Sequence, residues 1–327
     1  MRVSTSQIFD SGTQGILRTQ ADLLNSQNHI SASKRVLVPS DDPVAAARAL
    51  VVTQADAVNT QYVANQGAAK DQLSLLESKL GDAVDTTQNI LDKVVAAGNG
   101  SYTDADRQSI ATELRQRLAE LISTANSQDG TGNYLFAGYK TNVQPFTTTT
   151  DPTDASIPAS ATAQSTTNSY VTYQGDQGQR ELQVDASRTM ATSANGNDVF
   201  MHVTDSSGNS TGGSVFDSLK NMIDTLEKPL AGNTTFQADY SKGLSQLQSF
   251  LGSVSQVRSS VGARLSELDS LGSAASGLSV QYQQTLSNLQ DLDYVSAMTK
   301  FSQQQVQLQA AQQSFVKISG LSLFNYL

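Results

Sequence analysis

The sequence predicts a mainly α fold: a long antiparallel coiled-coil or helical-bundle rod built from the N- and C-terminal segments, with a small β-rich domain inserted mid-chain. Three observations predict it. Phe9, Ile16, Leu23, Ile30 and Leu37 fall seven residues apart near the start, as do Tyr294, Phe301, Leu308 and Phe315 near the end. Such a repeat is the seam of a helix that lies along another helix. Neither stripe has a complementary neighbour close in sequence, so the simplest partner for each end is the other end. Between them, residues 144–213 shift in composition to Thr, Ser, Ala and Gly with short alternating runs, the pattern of strands and turns.

The first helix is expected from about Thr5 to Arg35. In Val38-Pro39-Ser40-Asp41-Asp42-Pro43, either aspartate can cap a helix, and proline suits the first turn because its missing N–H would be unpaired there. The second helix therefore starts at Pro43 and runs to about Ala97, ahead of Gly98-Asn99-Gly100. Its second half carries Leu73, Leu76, Leu80, Ala83, Thr87, Ile90, Val94 and Ala97 in alternating steps of three and four, a coiled-coil seam. A shorter helix from about Thr103 to Gln128 places Ile110, Leu114, Leu118, Leu121 and Ala125 on one face.

The back half mirrors the front. Leu244, Leu247, Leu251, Val254, Val261, Leu265, Leu268, Ala275, Tyr282, Leu286 and Leu289 share one register, with Arg258, Gly272 and Ser279 as weak positions. The register slips after Leu289 and resumes at Tyr294, which reads as a break between packing units on one long helix. Mid-chain, residues 170–173 and 179–184 read as strands, joined as a hairpin by Gly175-Asp176-Gln177-Gly178. Residues 147–167 read as a mobile or irregular loop. Three regions result: residues 1–42 with 290–327 as a terminal assembly coiled coil, 43–143 with 214–289 as a helical domain, and 144–213 as the β-rich insert.

Composition narrows the function classes. A length of 327 residues exceeds one ordinary core and fits roughly two to four units. The net charge of -9 leaves no basic stripe for nucleic acid or an anionic membrane surface, so neither is expected as a partner. The absence of cysteine removes disulfides, thiolate catalysis and Cys-based metal sites together. No run approaches the roughly 18 apolar residues of a membrane span. The N-terminus lacks a signal-peptide run, which by itself predicts a cytoplasmic protein unless a dedicated export machine recognises the chain.

Chemistry-bearing constellations are absent. His29 and His202 stand far apart with no His-x-x-x-His or His-Glu pairing, and no nucleophile elbow or phosphate loop occurs. Asp104 and Asp106 point to different faces of a helix start and serve its positive dipole end; Asp41 and Asp42 are turn and cap residues. No cofactor, metal or enzymatic activity is expected.

The informative constellation is a lack of charge. Between Lys300 and Lys317 no residue is charged, while glutamine stands at 303, 304, 305, 307, 309, 312 and 313. Interface cores exclude ions, whose desolvation costs several kcal/mol, whereas an amide costs about 1–3 kcal/mol unpaired and little once hydrogen-bonded. A heptad helix with such a back is suited to being surrounded by other helices in a larger assembly. A single intramolecular coiled coil with a polar exterior is the alternative.

The run from Ile30 to Ala49, Ile-Ser-Ala-Ser-Lys-Arg-Val-Leu-Val-Pro-Ser-Asp-Asp-Pro-Val-Ala-Ala-Ala-Arg-Ala, resembles the N-terminal signature of the bacterial flagellin family, and Ser319-Gly-Leu-Ser-Leu-Phe-Asn-Tyr-Leu327 resembles its C-terminal signature. Within that family, Gly132-Asn-Tyr-Leu-Phe-Ala-Gly-Tyr-Lys-Thr-Asn-Val-Gln-Pro-Phe146, Tyr173-Gln-Gly-Asp176 and Gly196-Asn-Asp-Val-Phe200 are similar to the hook-associated type 3 branch. The resemblance implies type III flagellar export without a cleaved signal and residence at the hook–filament junction. The partners it implies are hook-associated protein type 1, flagellin, further copies of the chain, and a cytoplasmic export chaperone covering the C-terminal helix. A flagellin-type filament subunit is the neighbouring alternative. A surface adhesin or enzyme acting through the insert is a more distant one, without the His-Glu-x-x-His motif of a zinc protease. The expected assembly interface is Phe9, Ile16, Leu23, Ile30, Tyr294, Phe301, Leu308, Phe315, Ile318 and Leu321.

Overall fold

The computed structural model describes residues 5–148, 170–203, 213–231 and 233–324, with the side chains of residues 5, 6, 8 and 318–324 outside the description. The elements are α1 (Thr5–Ala32), α2 (Pro43–Ala97), α3 (Asp104–Ala125), β1 (Phe146–Thr148), β2 (Val171–Tyr173), β3 (Glu181–Asp185), β4 (Arg188–Ala191), a π-helical turn (Asn197–Met201), α4 (Val215–Glu227), α5 (Phe236–Gln290) and α6 (Tyr294–Phe324). Two compact units form, Met1–Thr60 with Ser276–Leu327 and Gln61–Ala275. The division falls inside α2 and α5, whereas the sequence boundaries at 42 and 290 fall at breaks between helices.

The unit from Gln61 to Ala275 holds the buried core. Leu73, Leu76, Leu80, Ala83, Ile90, Val94 and Ala97 are all buried on α2, and Thr87 joins them by donating its hydroxyl to the Ala83 carbonyl at 2.6 Å. α5 runs antiparallel to this stretch, as the Lys70–Asp269 pair (2.6 Å), the Arg258 Nε to Glu77 bond (3.1 Å) and the Tyr240 hydroxyl on the Val94 carbonyl (3.0 Å) record. Arg258, a weak position of the apolar register, thus serves the pairing through charge. α3 begins with a capping box in which Thr103 and Asp106 exchange bonds, and it packs on α4, which opens with the same device at Ser214 and Asp217. Each box satisfies N–H groups that a helix start leaves orphaned.

Phenylalanines form the centre of this unit. Phe136, Phe146, Phe200, Phe216 and Phe250 are fully buried, with Phe146 edge-on to Phe200 at 5.3 Å and to Phe216 at 5.4 Å. Edge-to-face rings at these separations gain quadrupole attraction beyond their buried area. The run from Gly132 to Phe146 supplies two of the rings through a series of tight turns. Asp129 anchors the first, accepting from the Thr131 hydroxyl (2.7 Å) and the N–H groups of Thr131 (2.8 Å) and Asn133 (2.9 Å). Burial alone would raise the Asp129 carboxyl, but these bonds outweigh it and hold the pKa down at about 2.

The β-rich region corrects one expectation. Its strands form two separate two-stranded antiparallel sheets, β1 with β2 and β3 with β4, so residues 170–173 and 179–184 do not make a hairpin with each other. The connecting segment is committed elsewhere. Asp176 accepts from the N–H groups of Tyr139 (2.8 Å) and Gly178 (2.9 Å), and Gln174 donates to the Pro145 carbonyl (2.7 Å). Gly138, at φ 71°, permits this approach, since a β-carbon there would overlap Asp176. The hairpin β3–β4 is held by side chains reaching its main chain: Asn65 donates to the Gln183 carbonyl (2.7 Å), Gln66 to Val184 (2.8 Å) and Arg264 to Ala191 (3.2 Å). The expected loop at 147–167 is strand at Thr147 and Thr148, and the rest of it lies outside the described residues.

Candidate functional site: the terminal helix pair

In the other unit α1 and α6 lie side by side. Their direction is antiparallel: the Phe9 and Phe315 rings meet at 4.7 Å at one end, and Lys34 bridges Asp291 at the other. The half-buried positions of α1 include Gly12, Ile16, Thr19, Leu23, Ser26 and Ile30, and those of α6 are Ala297, Phe301, Gln304, Leu308, Ala311 and Phe315. The seven-residue stripes are therefore only the large half of each seam. Small or polar residues fill the alternate positions, which hydrophobic spacing alone passes over and which three-four spacing from the stripes would have found.

Their small size has a geometric reason. A β-carbon at Gly12 would stand 2.9 Å from Cδ2 of Phe315, so the ring occupies the notch that glycine leaves. Phe9 touches that ring yet stays 52% exposed, and Tyr294 is 53% exposed outside the half-buried row. The side chains of Ile318 and Leu321 lie outside the described residues. Leu17 and Leu24 on α1, and Val295, Met298, Val306 and Val316 on α6, face solvent. The Gln304 Oε1 is buried without a hydrogen-bond partner among the described residues. The pair is thus a half-covered seam flanked by further exposed apolar side chains.

A compact joint closes the far end. The Arg35 N–H donates to the Gln290 carbonyl (2.7 Å), its guanidinium to Leu289 (2.8 Å) and to Asp42 (3.0 Å), and the Leu292 N–H returns to Ser33 (3.2 Å). Ser33 turns the chain at φ 55°. Asp42 caps α2 through the Ala45 N–H (3.0 Å), and that bond, ahead of Arg35, lowers its pKa. Asp41 accepts from Leu37 (2.9 Å) and Val38 (3.0 Å), which lower its carboxyl likewise. The joint also corrects the expectation of one long helix across the register slip. α5 ends at Gln290 because its last carbonyls are taken by Arg35, and α6 starts afresh, capped by Asp293 on the N–H groups of Val295 (3.1 Å) and Ser296 (3.3 Å).

The His29 Nδ1–H donates to the Lys34 carbonyl at 2.9 Å, and no cluster of metal-ligating side chains occurs among the described residues. No described helix is long and apolar enough to cross a membrane.

Known proteins share both the sequence and the fold. Residues 3–141 match the bacterial flagellin N-terminal helical region, and residues 244–327 match the C-terminal helical region. Flagellar hook-associated protein 3 of Salmonella typhimurium is 35% identical over 99% of each chain, and that of Escherichia coli is 34% identical over the same shares. Among solved structures, a putative flagellar hook-associated protein from Vibrio parahaemolyticus gives a TM-score of 0.64 at 23% identity, covering 77% of this chain and 100% of its own. The flagellar junction protein FlgL of Legionella pneumophila gives 0.59 at 20% identity, covering 75% and 100%. The chain belongs to the flagellar hook-associated protein 3 family, within the bacterial flagellins.

Proposed function

We propose that the chain is a structural adaptor of the bacterial flagellar hook–filament junction, exported and resident in the extracellular flagellum. The observation that carries the reading is the α1–α6 pair, whose seam is half-covered and whose outer faces present apolar and amide side chains without charge from 301 to 316. Through these helices it joins hook-associated protein type 1 on one side and flagellin on the other, packed among its own copies. A cytoplasmic export chaperone covers α6 before secretion, because an uncovered surface of this kind would associate early. Full-length likeness to hook-associated protein 3 favours this reading over a filament subunit or an adhesin.

The role is structural, not catalytic. The carboxylates with lowered pKa, Asp41, Asp42, Asp106, Asp129, Asp176 and Asp293, all accept from backbone N–H groups of turns and helix starts. Their ionisation is accounted for by local architecture, without a reacting group. The roles we assign are assembly for 1–42 with 290–327, helical support for 43–143 with 214–289, and an inserted β-rich region for 144–213.

Removal of the residues after Lys300 tests the reading. The unit from Gln61 to Ala275 keeps its own buried core and stays folded. Cells carrying only this form should build no filament and release monomeric flagellin into the medium. Phe301→Asp should act in the same way, because it places an unpaired charge in a packed seam. Normal filaments on the truncated protein would overturn the assembly role of α6.

A further inference from the structure

Two Asn-Gly pairs occur in the described residues, Asn99-Gly100 and Asn195-Gly196, and the fold treats them oppositely. We propose that Asn99 is a site of spontaneous covalent modification, converting to aspartate and isoaspartate, while Asn195 is protected. In this reaction the Gly100 main-chain nitrogen attacks Cγ of Asn99 and gives up its proton. The carboxamide C–N bond breaks, ammonia leaves, and a five-membered imide forms. Water then opens the imide at either carbonyl, giving aspartate or its isomer with the main chain routed through the side chain. Glycine favours the step because it lacks a β-carbon to shield its nitrogen and restrict its backbone.

The two asparagines share one local pattern. The Asn99 Oδ1 accepts from the Ser101 N–H at 3.1 Å, and the Asn195 Oδ1 accepts from the Asn197 N–H at 2.8 Å. Each bond holds the amide against the following peptide and draws electron density from Cγ. The attacking nitrogens differ. The Gly100 N–H makes no hydrogen bond among the described residues, and Asn99 is exposed in the turn between α2 and α3. The Gly196 N–H donates to the Phe136 carbonyl at 3.0 Å, and a β-carbon on Gly196 would lie 2.6 Å from that oxygen. Asn195 is 2% exposed and also holds the Tyr173 hydroxyl at 3.2 Å. Gly196 sits at φ -63° and ψ -29°, at the entry to the π-helical turn, where its nitrogen is already spent. Asn195 and Gly196 are both buried, which disfavours opening of an imide by water there.

The product at Asn99 places a carboxylate just beyond the last turn of α2, the negative end of the helix dipole. The isomer also lengthens the main chain in a turn where the Tyr102 N–H bonds the Asn99 carbonyl at 3.1 Å.

The test incubates the purified full chain at mildly alkaline pH and follows both peptides by mass spectrometry after digestion. Asn99 should convert with time to both acidic products while Asn195 keeps its amide. In guanidinium chloride the two should convert at similar rates. Gly100→Ala is accommodated, since a β-carbon there meets nothing within 4 Å, and it should slow Asn99 conversion about tenfold. Conversion of Asn195 as fast as Asn99 in the folded chain would overturn the proposal. So would an Asn99 amide that persists when folded but is lost when denatured, or a Gly100→Ala chain that converts at the parent rate.

Discussion

Phe315 fills a notch that only glycine leaves open on α1, so residue 12 decides how closely the terminal helices can approach. Two effects compete there. Replacing glycine within a helix gains up to about 1 kcal/mol of propensity, but the added carbon stands 2.9 Å from the Phe315 ring. With Gly12→Val the branched side chain gains less propensity and cannot clear the ring, so the pair should lose about 1–3 kcal/mol. Faster amide exchange in α1 with unchanged exchange in α3 is the expected readout. Asp129 gives a second residue-scale prediction. Its pKa is held at about 2, below the ordinary carboxylate value of about 3.9, so its bonds stabilise the fold fully above that ordinary value. That contribution is lost as pH falls toward about 2. Asp129→Asn should therefore narrow its stability deficit against the parent as pH falls through this window, in denaturant melts across acid pH.

Elements differ in how much of them the sequence discloses. The start of α2 is legible because Asp42 and Pro43 form a local signal, and its end because Gly98 follows Ala97. The buried seam from Leu73 to Ala97 is legible for the same kind of reason: it lies within one helix and repeats. The pairing of β2 is not. Its partner Phe146–Thr148 lies more than twenty residues upstream, and the choice is made by Asp176 and Gln174 bonding back to Tyr139 and Pro145. Nor is the full terminal seam legible from apolar residues alone, because Gly12, Thr19, Ser26 and Gln304 carry no apolar signal and emerge only when three-four spacing is extended from the stripes. The phenylalanine cluster gathers rings from β1, the π-helical turn, α4 and α5, and no single periodicity announces it. Phe146→Ala should cost about 3–5 kcal/mol in urea unfolding, because rings on several elements lose a shared neighbour.

At the scale of the whole molecule, the two units differ in how complete they are. The hydrophobic cluster of buried residues spans Ala69 to Leu268 and lies entirely in the unit from Gln61 to Ala275. Among the described residues of the other unit, the buried apolar side chains are Val36, Ala45 and Ala49, and Leu50, Val51 and Val280 stand exposed. Local stability follows buried contact, so opening should be cheap in one unit and costly in the other. Amide exchange on the purified monomer should therefore be fast in residues 5–60 and 276–324 and slow in much of 61–275. Uniform protection throughout would mean that the terminal unit needs no neighbours to hold its fold.

The hairpin β3–β4 is gripped by Asn65, Gln66 and Arg264 at the carbonyls of Gln183, Val184 and Ala191. Every amino acid carries the same carbonyl, so these three bonds are indifferent to which side chains the strands bear. The strands can change their outward residues while the grip beneath stays as it is.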